Sequence, residues 1–555
     1  MNRNYVLWLV LLGSLIFALG LMLALTSPGW AAAPQPPEPL TVPISAVPPV
    51  FLEPSPFALE KVSSYFATVA DLFPNCRYGI AAWSNLLLYF DIVPNLGTGW
   101  YLDFTTHWTP SGPTSEAEFV QMVRLHQGRA LRNGTDICGP DYAFTVSPSL
   151  TEGGLGAIVA ANPGALWIVG NEPDRVVSQD DICPQQYAVA YHNVYHFIKS
   201  HDPTAQIANA GLVEVTPGRL QYLDIVWDTY LEKYGVPMPV DVWTMHIYIL
   251  PEGPGESGAA IALGTDPALA IQLCDFSHPI PPCFRYADHD NLDLFKAQVV
   301  RMREWMKRHG QQHKPLALSE YSILYPFEDY DDPVNPTRCY LQDENGKCFT
   351  PVRVASFMTR TFGYLEPATD ANLGYPADGY RLVQQWLWFS LATGRVGKAS
   401  NLIDPGTYAL TLQGRTWQNY VGAIPPAVNL SLTWVPTVVG RSPNGTDPVT
   451  AALSAEVVNN GNIVMTSMVT VTFYNDQELT APIGSAVFSG LGGCARRSAI
   501  VTTTWENLET GAHPFWVKVD STEMVTETLE TDNVGQGVVI VNPFDVFLPL
   551  TLRNG

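Results

Sequence analysis

Two glutamates carry the chemical signal of this chain. Trp167-Ile168-Val169-Gly170-Asn171-Glu172-Pro173-Asp174 runs an apolar strand into a polar Asn-Glu pair, and Pro173 stops it. Ala317-Leu318-Ser319-Glu320-Tyr321 ends a second apolar run, where Glu320 shares strand parity with Leu316 and Leu318. That parity predicts one inward-facing column containing all three. Two glutamates at opposite sides of one cavity suit cleavage of a glycosidic bond by double displacement. One carboxyl, protonated, hands its proton to the leaving oxygen, and the other, ionised, attacks the anomeric carbon. Taken singly, Glu172 reads equally well as an acidic first-turn residue beside Pro173, and Glu320 as a strand-end surface residue. His246 by itself reads as a core histidine, and Tyr248 and Trp388 as packing. The joint placement of Glu172 and Glu320 at the ends of two apolar strands favours a site. Trp83 and Tyr286 are expected to line the cleft, whereas Tyr187, Tyr191, Val194 and Ile198 form a helical stripe assigned to the core.

The elements that must hold these groups alternate. Strand candidates fall at 78–83, 99–104, 142–146, 165–170, 205–210, 240–248, 315–321 and 382–389. Between them lie helical patterns such as Leu220, Leu223, Trp227 and Leu231 before Gly235, and Phe295, Val299, Met302 and Met306 between Asp290 and Gly310. Strands separated by helices pair in parallel through right-handed crossovers. Eight candidates fit an α/β chain folded as a (β/α)8 TIM barrel, with its functional face at the C-terminal strand ends. A doubly wound sheet is the alternative, but no glycine-rich phosphate loop follows the first strand. Residues 400–440 form a boundary, and beyond 441 a period-2, Val- and Thr-rich pattern predicts an all-β immunoglobulin-like sandwich. The expected division is a leader at 1–33, a Pro-rich spacer at 34–55, the barrel at 56–425, the sandwich at 426–545 and a tail at 546–555.

Composition narrows the partners. The 555 residues hold 30 Lys+Arg against 52 Asp+Glu, for a net charge of −22 spread along the chain, which argues against a nucleic-acid partner. With 46% hydrophobic residues, the chain can fill a core. The 15 Trp, 24 Tyr and 23 Phe suit neutral ring-shaped ligands, which stack on aromatics. Residues 5–25 are almost purely apolar behind Arg3 and are followed by Ala31-Ala32-Ala33, so a cleaved signal peptide and a retained membrane anchor both stay open. Either reading places the remainder outside the cytoplasm, secreted or anchored at the cell surface. Eight cysteines agree with export. Cys274 with Cys283 and Cys339 with Cys348 read as local loop closures, a pairing of Cys76 with Cys138 stays open, and Cys183 and Cys494 have no evident partner. No metal or cofactor is expected.

Asn-Glu-Pro at the end of the fourth strand and Ser-Glu at the end of the seventh resemble clan A of the glycoside hydrolases, the 4/7 barrel superfamily, over about residues 76–400. The resemblance implies Glu172 as acid/base, Glu320 as nucleophile and Asn171 as ligand of the sugar 2-hydroxyl. It also implies His246 and Tyr248 at the site, with Tyr248 touching the nucleophile, and Trp388 rather than Trp386 beneath the sugar. The clan's arginine near the end of the second strand is missing from GWYLDFTTHW, where His107 is the available substitute. The segments VVNNGN, VTVTFYND and TTTWENLETGAHPFWVKVD resemble CARDB, the cell-adhesion-related bacterial domain. That resemblance implies a spacer or surface-attachment role for the sandwich. The expectation is an exported retaining glycosidase acting on a carbohydrate without a cofactor; the alternative is an inactive carbohydrate-binding or adhesive surface protein on the same barrel.

Overall fold

Short buried strands and amphipathic helices alternate through the first part of the computed structural model, which describes residues 72–82, 95–109, 117–254, 258–275, 282–325, 339–394 and 397–543. The strands are β1 (Asn75–Ala81), β2 (Thr98–Leu102), β3 (Glu118–Phe119), β4 (Gln121–His126), β5 (Thr145–Ser147), β6 (Leu166–Val169), β7 (Gln206–Asn209), β8 (Trp243–His246), β9 (Leu316–Tyr321) and β10 (Gln385–Trp388). The longer helices are α1 (Pro184–His201), α2 (Pro217–Tyr234), α3 (Leu292–Arg308), α4 (Pro351–Leu365) and α5 (Leu412–Gly422). One sheet has the order β3-β2-β1-β10-β9-β8 and a second the order β5-β4-β6-β7. Every neighbouring pair is parallel except β4 with β5. Val120 alone separates β3 from β4, and a single parallel bridge, Ala208 to Val242, links the β7 and β8 ends of the two sheets. This is a mixed α/β body whose strands form two sheets.

Side chains alternate between two apolar layers. Trp100, Met122, Ile168, Val242, Ala317 and Leu387 belong to one cluster fed by both sheets. Trp167, Trp243, Leu318, Trp386 and Trp388 point the other way, into the layer shared with the helices. Gly79 is needed where it stands: a Cβ there would lie 2.3 Å from the Trp100 ring. Tyr187, Tyr191, Val194 and Ile198 of α1 are buried in the helix layer, as the stripe predicts. Helix α2 ends at Gly235 with φ 72°, a left-handed cap that glycine adopts without steric cost. Asn291 caps α3 by accepting from the amides of Asp293 and Leu294.

Two expectations are corrected here. The third strand is not 142–146: Thr145–Ser147 lies antiparallel at the edge of β4, and residues 118–126 occupy the place between β2 and β6. Phe119, Val120, Met122, Val123 and Leu125 are buried on both faces, so the stretch lacks the alternation that signals a strand. The cysteine pairing also differs. Cys76 joins Cys494 and Cys138 joins Cys183, while Cys274–Cys283 and Cys339–Cys348 are the two local bridges expected.

From Leu430 to Val541 the regular elements are all strands. A three-stranded sheet, β11 (Leu430–Trp434), β13 (Val449–Asn459) and β16 (Ser498–Leu508), faces a five-stranded one. The latter holds β12 (Thr437–Gly440), β14 (Val469–Tyr474), β15 (Pro482–Phe488), β17 (Gly511–Lys518) and β18 (Val534–Val541). Leu453, Val457, Val471, Phe473, Phe515 and Val517 fill the space between them. This sandwich meets the α/β body at the N-terminal ends of its strands. Cys76 and Arg77 of β1 reach Cys494 and the Asn460 carbonyl; Arg496 pairs with Glu118, which opens β3, and with Gln206, which opens β7; Arg497 donates to the Gly164 carbonyl. Among the described residues no helix is long and apolar enough to cross a membrane, and the 5–25 segment lies outside them.

Candidate active site

The chain turns sharply at the end of β6. Gly170 has φ 94° and Glu172 φ 42°, a left-handed conformation rare for a side chain of this size, which costs about 1–3 kcal/mol and persists only where neighbours enforce it. Here the Glu172 amide donates to the Gly211 carbonyl at 3.1 Å, and the Asp180 carboxylate accepts from the Asn171 and Leu125 amides at 2.8 and 3.1 Å. The turn aims the Glu172 side chain over the end of β8, where its Oε1 lies 3.1 Å from His246 Nδ1. Its Oε2 lies 3.4 Å from an Arg175 guanidinium nitrogen.

Glu320 arrives by a different route. Leu316 and Leu318 belong to the helix-facing layer and Ala317 to the opposite one, so simple alternation would send Glu320 outward with the leucines. The register shifts between Met245 and His246 on one side of β9 and between Trp386 and Trp388 on the other. This irregularity pairs Glu320 with His246 and turns its carboxyl toward Glu172, the re-aiming that a β-bulge performs. The parity argument therefore assigns the correct face for the wrong reason. Tyr248 donates its hydroxyl to Glu320 Oε1 at 2.7 Å, and Glu320 Oε2 lies 3.9 Å from His246 Nδ1. One oxygen from each carboxyl and a ring nitrogen of His246 all lie within 4.8 Å of one another. The Glu172 and Glu320 side chains are only 3% and 9% exposed, so their charges are largely desolvated.

Burial and mutual charge divide the two carboxyls. Burial pushes Glu320 up to about 7, with the Glu172 charge adding to the rise and His246 and Tyr248 opposing it. Burial acts upward on Glu172 too, but the His246 hydrogen bond and the charges of Arg175, His246 and Arg219 outweigh it and hold the carboxyl below its usual range. For His246 burial favours the neutral ring, yet Glu320 and Glu172 together keep its pKa above the ordinary value. Burial and mutual charge therefore bias a shared proton toward Glu320 and away from Glu172.

A buried ionic frame supports the turn. Arg219, in the first turn of α2, pairs with Asp174 at 2.7 Å and with Glu252, and donates to the Ala259 carbonyl at 2.7 Å. Glu252 also accepts from Thr216 and from the Ile271 amide, both at 2.6 Å. One arginine thus ties the Glu172 turn to the 250–271 loop. Glu214 lies beside it, fully buried, and burial pushes its carboxyl up to about 8 against the Arg219 charge. Sequence reading missed Arg175, Glu214, Arg219 and Glu252. Arg175, three residues after Glu172, was the one with a visible cue.

The other expected residues fall unequally. Asn171 donates to Gln179 Oε1 at 3.0 Å, and its buried Oδ1 has no protein partner. His246 and Tyr248 both meet the carboxyls. Trp388 does not: it is fully buried, donates Nε1 to the Ser400 carbonyl, and packs against Tyr321 and Phe357 in the helix layer. Its strand parity is the outward one, and the ring that packs with the opposite layer is Phe389. His107 is held by Asp103 at 2.5 Å and lies edge-on to Phe119; the cation beside the carboxyls is Arg175 instead. Tyr286 packs edge-on against Tyr325. Trp83 lies outside the described residues.

Residues 437–536 match the CARDB family model. A CARDB domain from Pyrococcus furiosus, solved with di-metal ions, is 23% identical over 21% of this chain and 97% of its own, with a TM-score of 0.18. The chain also aligns with glycoside hydrolases. An endo-beta-1,3-glucanase of family GH128 from Pseudomonas viridiflava is 15% identical over 63% of this chain and 98% of its own, with a TM-score of 0.33. A glucosidase from Croceicoccus marinus is 11% identical over 79% and 94%, with a TM-score of 0.36. No curated protein matches the chain.

Proposed function

We propose that this protein is a retaining glycoside hydrolase in which Glu172 is the acid/base and Glu320 the nucleophile. The observation that carries the reading is the approach of the two carboxyls, whose nearest oxygens lie within 4.8 Å. Retaining enzymes hold the pair about 5–5.5 Å apart, whereas inverting ones need about 6.5–9.5 Å to admit a water. The reading includes a closed (β/α)8 barrel. Its support is the continuity of β3 with β4 through Val120, the Ala208–Val242 bridge, and one apolar cluster fed by both sheets. Glu172 and Glu320 then follow β6 and end β9 at the C-terminal rim, where barrel enzymes carry their chemistry.

In the first step Glu320 attacks the anomeric carbon while Glu172 protonates the departing oxygen. In the second, Glu172 takes a proton from water, which releases the sugar from Glu320. The bias in the free site favours the opposite carboxyl from the one this scheme needs. The count is nevertheless correct, since one proton shared by the pair serves either arrangement, and the reacting form is the minor tautomer of the resting one. Tyr248 favours that form by donating to the Glu320 carboxylate, and His246, in contact with both groups, balances them. The unpartnered Asn171 Oδ1 is available to a sugar hydroxyl. Four disulfides suit an oxidising compartment, so the reading keeps an exported chain with the sandwich as spacer or surface attachment at the far end of the barrel. A second reading, a non-catalytic carbohydrate binder, is favoured by the depth of the pair, with Glu320 only 9% exposed. Turnover of activated aryl glycosides decides between them. Glu320→Gln is expected to abolish it, and full activity in that variant refutes the nucleophile assignment.

A further inference from the structure

The same three groups are arranged as ligands, with their outer positions already occupied. Glu172 Oε2 faces Arg175 and Glu320 Oε1 accepts from Tyr248, so the oxygens left over are Glu172 Oε1 and Glu320 Oε2. Both lie against one atom, His246 Nδ1, at 3.1 and 3.9 Å. Ligands around a tetrahedral zinc, bound at about 2.0–2.2 Å, stand roughly 3.4 Å from one another. One of these separations is already shorter than that and the other exceeds it by half an ångström, and one oxygen of each carboxyl and a ring nitrogen of His246 lie within 4.8 Å of one another. Once an ion has displaced their protons, the two carboxylates and the imidazole form an oxygen–nitrogen set suited to first-row dications. Their joint charge of −2 would be neutralised by one such ion. The supporting contacts from Tyr248 and Arg175 orient the carboxylates in the way that outer partners orient metal ligands.

We infer that Glu172, His246 and Glu320 form a zinc-class divalent-cation site, and that a bound ion inhibits the enzyme by occupying both carboxylates. The binding stands on the geometry alone; the inhibition rests on the glycosidase reading. An ion held there leaves no free carboxylate to attack a sugar and no carboxylic acid to protonate a leaving group. The surface offers one competitor that the test must separate. His192 and His196 stand one turn apart on α1 with ring centroids 4.3 Å apart.

The experiment is calorimetric titration of the full chain with zinc chloride, alongside His246→Gln, Glu320→Gln and His196→Ala variants whose folding is checked by circular dichroism. The expected result is one ion per chain, bound at least about tenfold more weakly by His246→Gln and by Glu320→Gln and unchanged in His196→Ala. The inference is overturned by no binding at millimolar zinc, by undiminished binding in His246→Gln, or by loss of the single site in His196→Ala. If only Glu320→Gln misfolds, His246→Gln decides. A kinetic arm separates the two readings. Hydrolysis that zinc leaves untouched sinks the inhibitory site and spares the glycosidase, whereas His246-dependent binding in a chain that hydrolyses no glycoside sinks the glycosidase and spares the cation site.

Discussion

Replacing Tyr248 by Phe removes one hydroxyl and tests the proton balance of the carboxyl pair. Tyr248 is buried and gives Glu320 a 2.7 Å hydrogen bond, which favours the ionised carboxyl. A hydrogen bond to a charged group is worth about 1.5–3 kcal/mol, and 1.36 kcal/mol moves a pKa by one unit. Its loss therefore raises Glu320 by about one to two pH units from its position at about 7. The reacting tautomer has Glu320 ionised and Glu172 protonated, so it becomes about ten- to a hundredfold rarer, and the plateau of kcat/KM falls by that factor. The alkaline limb, set by loss of the proton from Glu320, moves upward by the same one to two pH units. Above the new limb both enzymes have lost that proton. The scarce form then depends on Glu172 alone, and the two profiles converge. The assay is kcat/KM for an activated aryl glycoside between pH 5 and 10. A plateau within twofold of the wild type refutes the reasoning, and so does a uniform loss that persists at high pH.

Three further outcomes are expected. Glu320→Gln trades function for stability. A carboxyl raised from 4.5 to about 7 in the fold stabilises the folded state fully below 4.5 and loses that contribution as pH rises through 7, so the wild type carries a cost of about 3 kcal/mol at pH 8 that the variant lacks. Thermal melts should show the variant more stable at pH 8 and equal to wild type near pH 4; a Tm difference independent of pH contradicts this. Gly79→Val forces a side chain into the Trp100 ring, where a Cβ alone would sit at 2.3 Å. Denaturant titration should register a loss of at least about 1–3 kcal/mol, and an unchanged midpoint would mean that Trp100 can move aside. Cys76→Ser with Cys494→Ser removes a link between residues 418 apart, near the upper end of disulfide stabilisation at about 5 kcal/mol. Calorimetry should then resolve separate transitions for the α/β body and the sandwich; a single unshifted transition counts against the bridge as the clamp between them.

What could be read from the chain was mostly local. Strand endings at Asn171-Glu172-Pro173 and Ser319-Glu320 depend on apolar runs meeting polar residues, and the helix between Asp290 and Gly310 on a 3–4 spacing; these fell where the pattern puts them, the structure adding Asn291 as the cap. The short cysteine pairs were legible because chain length alone brings their members together. The strand at 118–126 was missed because burial on both faces erases alternation. Trp388 was misassigned because parity has no anchor until the register of β10 against β9 is known, and that register shifts within the last residues of the pair.

The sequence by itself determined which chemistry was on offer: two strand-end glutamates, a His-x-Tyr triplet and the order of elements that carries them. It determined the sandwich as well, because period-2 patterning is a property of each strand alone. Only the tertiary structure decided what those groups do to each other. The bulge that turns Glu320 inward, the Arg219 frame behind Glu172, the Cys76–Cys494 clamp and the upward shift of the Glu320 carboxyl all depend on distances between residues remote in the chain. The physical reason is that charge coupling and desolvation depend on distance and burial. Residue type sets what can ionise, and the fold sets which form costs less.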